Sequence, residues 1–183
     1  YGYSGTSSSA VFEMKNGSIT GNTSEITGAG IFGYVYDKEQ VEIKISGGTI
    51  KDNISTDEGM GHAIGLYGEQ GSIAYPTLEL SGSPEIRGDI FYQNDYEDGY
   101  VIHVTGEFTP VNSVEINRSN NILGIPAVEY ANGITPNLAD FVSGNMGDGF
   151  KIEGQNLIWA KASFVYFYDE DGTEFKENRH GVV

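Results

Sequence analysis

Short runs in which apolar and polar residues alternate recur along the chain. Phe12-Glu-Met14, Glu42-Ile-Lys-Ile45 and Leu78-Glu-Leu80 each place alternate side chains on opposite faces, the signature of a half-buried strand. Each run leads into a Gly-containing turn and then a single isoleucine among polar neighbours: Ile19, Ile50 and Ile86. In the first two cases a Gly/Asn corner follows, then a Gly-rich strand, Gly28-Ala-Gly-Ile-Phe-Gly-Tyr34 or Gly59-Met-Gly-His-Ala-Ile-Gly-Leu-Tyr67. No apolar stripe at helical spacing runs for any length, so helices are expected to be few.

The pattern repeats. Gly17 and Gly48 stand 31 residues apart, and the same offset relates Ile19 to Ile50, Asn22 to Asn53, Gly28 to Gly59 and Gly30 to Gly61. On that offset His62 falls where Ile31 stands one unit earlier. A looser third copy, Thr77-Leu-Glu-Leu-Ser-Gly-Ser-Pro-Glu-Ile-Arg-Gly-Asp89, puts Ile86 36 residues after Ile50, so its loops have grown. Short strands separated by Gly and Asn corners at this period point to a solenoid. Glycine supplies positive-φ corners without steric cost, and asparagine tolerates the same bends. The expected fold is all-β: a right-handed parallel β-helix over residues 1–160, closed by a C-terminal β-hairpin cap over residues 161–183. Residues 1–10 read as the tail of an earlier coil, and the chain opens mid-pattern at Tyr1-Gly2-Tyr3, as an excised fragment would.

Beyond residue 88 the repeat fades while strand signals persist. Ile90-Phe-Tyr92, Val101-Ile-His-Val104, Val114-Glu-Ile116 and Ala127-Val-Glu-Tyr130 are expected rungs. Phe150-Lys-Ile152 and Leu157-Ile-Trp159 flank a Gly154-Gln-Asn turn and predict a hairpin, with Trp159 as a capping residue. Asn137 suits the cap of one short helical turn within 137–146. Ala162-Ser-Phe-Val-Tyr-Phe-Tyr168, the turn Asp169-Glu-Asp-Gly172 and Thr173-Glu-Phe-Lys176 predict the last hairpin, a cap or the start of a following repeat module.

Composition narrows the functions. The 26 glycines among 183 residues are about twice the usual share of roughly 7%. There is no cysteine, which removes disulfides, thiol nucleophiles and Cys-based zinc sites. The formal charge is -16, and ten scattered basic residues cannot neutralise a phosphate backbone, so no nucleic-acid partner is expected. No run of 18 apolar residues exists, so no membrane insertion is expected. Most of the acidity is spread over strand faces and loops, where it keeps a β structure with open edges soluble.

The units Val11-Phe-Glu-Met-Lys-Asn-Gly-Ser-Ile-Thr-Gly-Asn22 with Gly28–Tyr34, and Val41-Glu-Ile-Lys-Ile-Ser-Gly-Gly-Thr-Ile-Lys-Asp-Asn53 with Gly59–Tyr67, resemble the Gly-rich β-helix repeats of bacterial cell-surface, adhesin-like proteins with a pectin-lyase-like fold. The stretches 101–116 and 139–159 resemble the segment that follows such repeats. Phe164-Val-Tyr-Phe-Tyr-Asp-Glu-Asp-Gly172 is similar to the opening hairpin of Listeria–Bacteroides-type surface repeats. The resemblance implies an extracellular module of a wall-attached parent and brings no shared catalytic residues with it.

Three constellations bear on chemistry. A polysaccharide lyase or hydrolase of this shape would place several carboxylates on adjacent coils, with one acid and one base flanking the scissile bond. Here Asp52 stacks with Gly21 and Gly88, and Asp89 stacks with Asn22 and Asn53, so no carboxylate column forms. Arg87 beside Asp89 is the nearest approach to a lyase-like pair, and a surface salt bridge explains it equally. His62 and His103 read as packed or half-exposed strand residues. The loop 94–98 offers Asp95, Glu97 and Asp98 as oxygen ligands for calcium, the one candidate cofactor, although a solvated acidic loop accounts for the same residues.

Tyrosines are the third feature. Tyr34, Tyr36, Tyr67, Tyr92 and Tyr96 fall beside or within the loops leaving the coils. Aligned by stacked coils, such rings would form a ladder covering the apolar face of a pyranose; alternatively they shield core edges and strengthen cross-strand packing. The expected function is non-catalytic: adhesion, or contact with a glycan or a host or cell-surface protein, with a spacer role in a larger protein as a variant. The alternative is a polysaccharide lyase or glycoside hydrolase acting through Asp89 and Arg87.

Overall fold

The computed structural model describes residues 9–36, 40–56, 61–68, 75–93, 102–119, 122–145, 147–164 and 181–182. Within them the protein is all-β, with one short 3-10 turn at Leu138–Asp140. The first repeat holds β1 (Ser9–Met14), β2 (Ser18–Thr20), β3 (Thr23–Ser24) and β4 (Ile31–Val35). The second holds β5 (Gln40–Ile45), β6 (Thr49–Lys51), β7 (Ile54–Ser55) and β8 (Ile64–Gly68). The third holds β9 (Thr77–Gly82), β10 (Glu85–Ile86) and β11 (Ile90–Tyr92). There follow β12 (Ile102–Phe108), β13 (Val114–Arg118), β14 (Pro126–Tyr130), β15 (Phe141–Ser143), β16 (Asp148–Glu153), β17 (Asn156–Lys161), β18 (Ser163–Phe164) and β19 (Gly181–Val182).

Equivalent strands of successive repeats pair in parallel. One sheet runs β1-β5-β9-β12-β14 and then takes on β17 and β16, which join antiparallel. A second, β4-β8-β11-β13-β15, is parallel throughout. Two small parallel sheets, β2-β6-β10 and β3-β7, hold the corners.

Register turns the alternating sequence into columns. Phe12, Ile43, Leu78, Ile102 and Val128 align on one inward face, with Met14, Ile45, Leu80, Val104 and Tyr130 beside them. Ile19, Ile50 and Ile86 form the corner column. Ile31, Ile64, Ile90 and Ile116 form the opposing one. All of these but Phe12 belong to one continuous core, with Ile19 and Ile31 packed against it. Each fully buried aliphatic contributes roughly 1.5–3 kcal/mol. The outward positions of the first sheet are charged or polar: Glu13, Lys44, Glu79, His103 and Glu129 stand in one row. Lys44 reaches Glu79 at 3.7 Å, and His103 reaches Glu129 at 3.1 Å.

The 31-residue offset holds through β1–β5, β2–β6 and β3–β7. It fails at β4–β8, where Ile31 pairs with Ile64 rather than His62, an offset of 33. An insertion of two residues leaves every side chain on its original face, because strand parity is two. The corner aspartate keeps its place: Asp52 has φ +56, and Gly21 and Gly88 are likewise left-handed. The predicted hairpin is present, with Glu153 opposite Asn156 and Gly154 at φ +60. The helical turn is shorter than expected: Asn137 caps Leu138–Asp140, accepting from the Ala139 amide at 3.1 Å, and β15 follows at once. Near the C-terminus β18 pairs antiparallel with β19; the expected turn at Asp169–Gly172 and its return strand lie outside the described residues.

Candidate functional site

The pleat of β4 and β8 sends Tyr34 and Tyr67 outward at the same register. Their rings stack at 5.5 Å between centroids and 23° between planes. Phe32, on the same face of β4 and 40% exposed, stacks on Tyr34 at 6.1 Å. Both tyrosines are half-buried, and Tyr36 just beyond β4 is exposed. The result is a strip of rings running partly along and partly across the strands. Sequence reading missed Phe32, although its two-residue spacing from Tyr34 was the available signal.

Tyr92 does not belong to this strip. In β11 it aligns with Leu66 and Gly33, which face the core, whereas the outward register opposite Tyr67 passes to Gln93. Tyr92 is fully buried and its hydroxyl accepts from Trp159 Nε1 at 2.6 Å. Burial pushes its phenol up to about 12. It therefore cannot touch an external ligand. Tyr96, Asp95, Glu97 and Asp98 lie outside the described residues.

Arg87 and Asp89 are not brought together. Arg87 is exposed and its Nε donates to Glu85 Oε1 at 2.6 Å. That hydrogen bond holds the Glu85 carboxyl below the usual range. Asp89 is buried at the start of β11. It accepts from the backbone amides of Gly61 and His62, both at 2.8 Å, and from Asn117 Nδ2 at 2.9 Å. Its two oxygens are thus committed to holding the corner of the preceding repeat. Asn53 does similar work one repeat earlier, accepting from Asn22 N and Nδ2 and donating to the Ile19 carbonyl. The proposed acid–base pair is therefore two unrelated structural contacts. His62 lies beside Asp89, its Nδ1 3.7 Å from Oδ1.

A buried polar cluster sits where the hairpin β16–β17 closes the stack. Arg118, the last residue of β13, points inward at the register of Tyr92. Its guanidinium lies 3.9 Å from the Trp159 ring centroid and pairs with Asp148 at 3.3 Å. It also donates to the Ile122 carbonyl. The alternation Val114, Ile116, Arg118 was the sequence signal for this inward arginine. Among the described residues no group of three His, Asp or Glu side chains could hold a metal.

No protein-family model matches the chain, and neither a curated protein nor a solved structure matches it.

Proposed function

We propose that this chain is a non-catalytic, extracellular surface module that contacts glycans through the ring strip of Phe32, Tyr34 and Tyr67, built as a right-handed parallel β-helix. The in-register Tyr34–Tyr67 stack carries this reading. Two half-buried rings on a rigid parallel sheet are held in place before any ligand arrives, so little rotamer entropy is lost on contact. The cyclic order of strands through the parallel sheets supports the β-helix description. A crossover between parallel strands is almost always right-handed, which supports the hand. The engagement of Asp89 by three N–H donors favours a binding role over the lyase or hydrolase alternative.

A glycan array probed with the wild type and with Tyr67→Ala tests the reading. Binding that falls at least about tenfold in the variant is expected, because the ring's buried area is lost together with a stacking contribution of about 0.5–1.5 kcal/mol. Wild-type binding to no glycan would sink the proposal. Release of unsaturated uronides from acidic polysaccharides, abolished by Asp89→Asn, would replace it with the enzymatic alternative.

A further inference from the structure

At the opposite end of the stack from Tyr34, the ends of β12 and β14 and the loop after β14 enclose a cleft of about 410 Å³, within the range of small-molecule sites. Phe108, Tyr130 and Ile134 give it apolar surface; Glu107, Thr135 and Asp140 give it polar groups. Its walls are set in advance. Phe141 stacks on Phe108 at 5.5 Å and meets Tyr130 edge-on at 6.5 Å. Gln155 Nε2 pins the loop by donating to the Ala131 and Ile134 carbonyls, each at 3.1 Å. Asn137 is occupied on both sides of its amide: Nδ2 donates to Asp140 Oδ1 at 2.8 Å and Oδ1 accepts from Ala139 N.

The remaining chemistry is acceptor-rich. Among the described residues two carboxylates line the cleft and no basic side chain does. Asp140 is 9% exposed, and only one of its oxygens has a protein donor among the described residues. A phosphate, sulfate or uronate would be repelled, whereas a ligand rich in donors and carrying one apolar face would satisfy both kinds of wall. We infer that this cleft is a second, separate sugar site, taking one neutral or amino-bearing pyranose whose hydroxyl or ammonium groups donate to Asp140 and Glu107. The inference rests on the reading of the chain as a glycan-contacting module, but it uses none of the tyrosine-strip residues.

The test is an amide chemical-shift titration of the full chain with methyl glucoside, glucosamine and glucuronate. Methyl glucoside or glucosamine is expected to shift the amides of residues 133–135, and glucuronate to leave them in place; the two active arms separate a hydroxyl donor from an ammonium donor. Thr135→Trp, at an exposed position, fills the cleft and should abolish the shifts. Asp140→Asn should weaken binding at least about tenfold, the loss of a hydrogen bond to a charged group. Tyr67→Ala should leave the shifts unchanged. Shifts confined to residues 32–36 and 64–68 would overturn this inference while leaving the strip reading standing. So would equal shifts with glucuronate, or shifts that survive Thr135→Trp.

Discussion

Asp140 and Tyr92 are both shifted upward by burial, and they answer to mutation in opposite ways. The Asp140 carboxyl is raised above its ordinary value, so the folded state holds the proton more tightly than the unfolded chain does. Its stabilising contribution is complete below the unfolded value near about 3.9 and is lost as pH rises through the folded value. Asp140→Asn mimics the protonated acid and keeps an acceptor for Asn137. It is expected to raise stability at neutral pH and to change little in acid, checked by urea unfolding at both. On the proposed sugar reading of the cleft, the same change weakens binding while it raises stability. Tyr92→Phe works the other way. It strips the acceptor from Trp159 Nε1 in a buried setting, at an expected cost of about 1–3 kcal/mol. Replacing Trp159 by Phe in the same chain removes the orphaned donor, so the double variant should lose less than the two single losses summed. Face parity, not residue type, separated these tyrosines. Tyr34 and Tyr92 look alike in sequence, and only the count along β4 and β11 sends one outward and one into the core.

Strands here are held by their neighbours in adjacent repeats, so glycines at the corners matter by position. Gly82 ends β9 with φ +63, and a Cβ there would fall onto the Ser46 carbonyl oxygen of the repeat beneath. Gly124 has φ +83 with open space around it. Gly124→Ala should cost about 1–2 kcal/mol, the left-handed penalty alone. Gly82→Ala should cost clearly more, because backbone must move as well; denaturant midpoints of the two variants make the comparison. The elements themselves were largely legible. The alternating runs became β1, β5 and β9, and the weaker signals beyond residue 88 became β11 to β14 and the β16–β17 hairpin. What misled was carrying the 31-residue offset through the whole of the second repeat. The two extra residues between β7 and β8 move His62 out of the Ile31 column, and spacing measured on glycines alone cannot register an insertion inside a loop.

Across the whole molecule, a net charge of -16 sets a self-repulsion that pairwise contacts offset only in part. Lys44 lies between Glu13 and Glu79 in the outward row, yet across the sequence 26 acidic residues face only ten Lys and Arg. Screening of charges more than about 8 Å apart at physiological salt should therefore stabilise the fold. Melting temperature is expected to rise with sodium chloride from low to physiological concentration; a flat or falling response would show that attractive pairs outweigh the repulsion. Among the described residues, β1 at one edge of its sheet and the β16–β17 hairpin at the other also differ in kind. Val11 is 62% exposed and Phe12 40%, whereas Ile43 and Leu78 in the same column as Phe12 are sealed by the repeats on either side. Period-two alternation, corner glycines and the repeat were local properties, and the sequence by itself determined an all-β chain of parallel, stacked strands from them. Which residues meet across repeats was left to the tertiary structure, because that depends on loop lengths and on the depth of each residue in the stack. Those two quantities turned Asp89 into a corner clamp, took Tyr92 and Arg118 inside, paired Tyr34 with Tyr67, and opened the cleft beside Asp140.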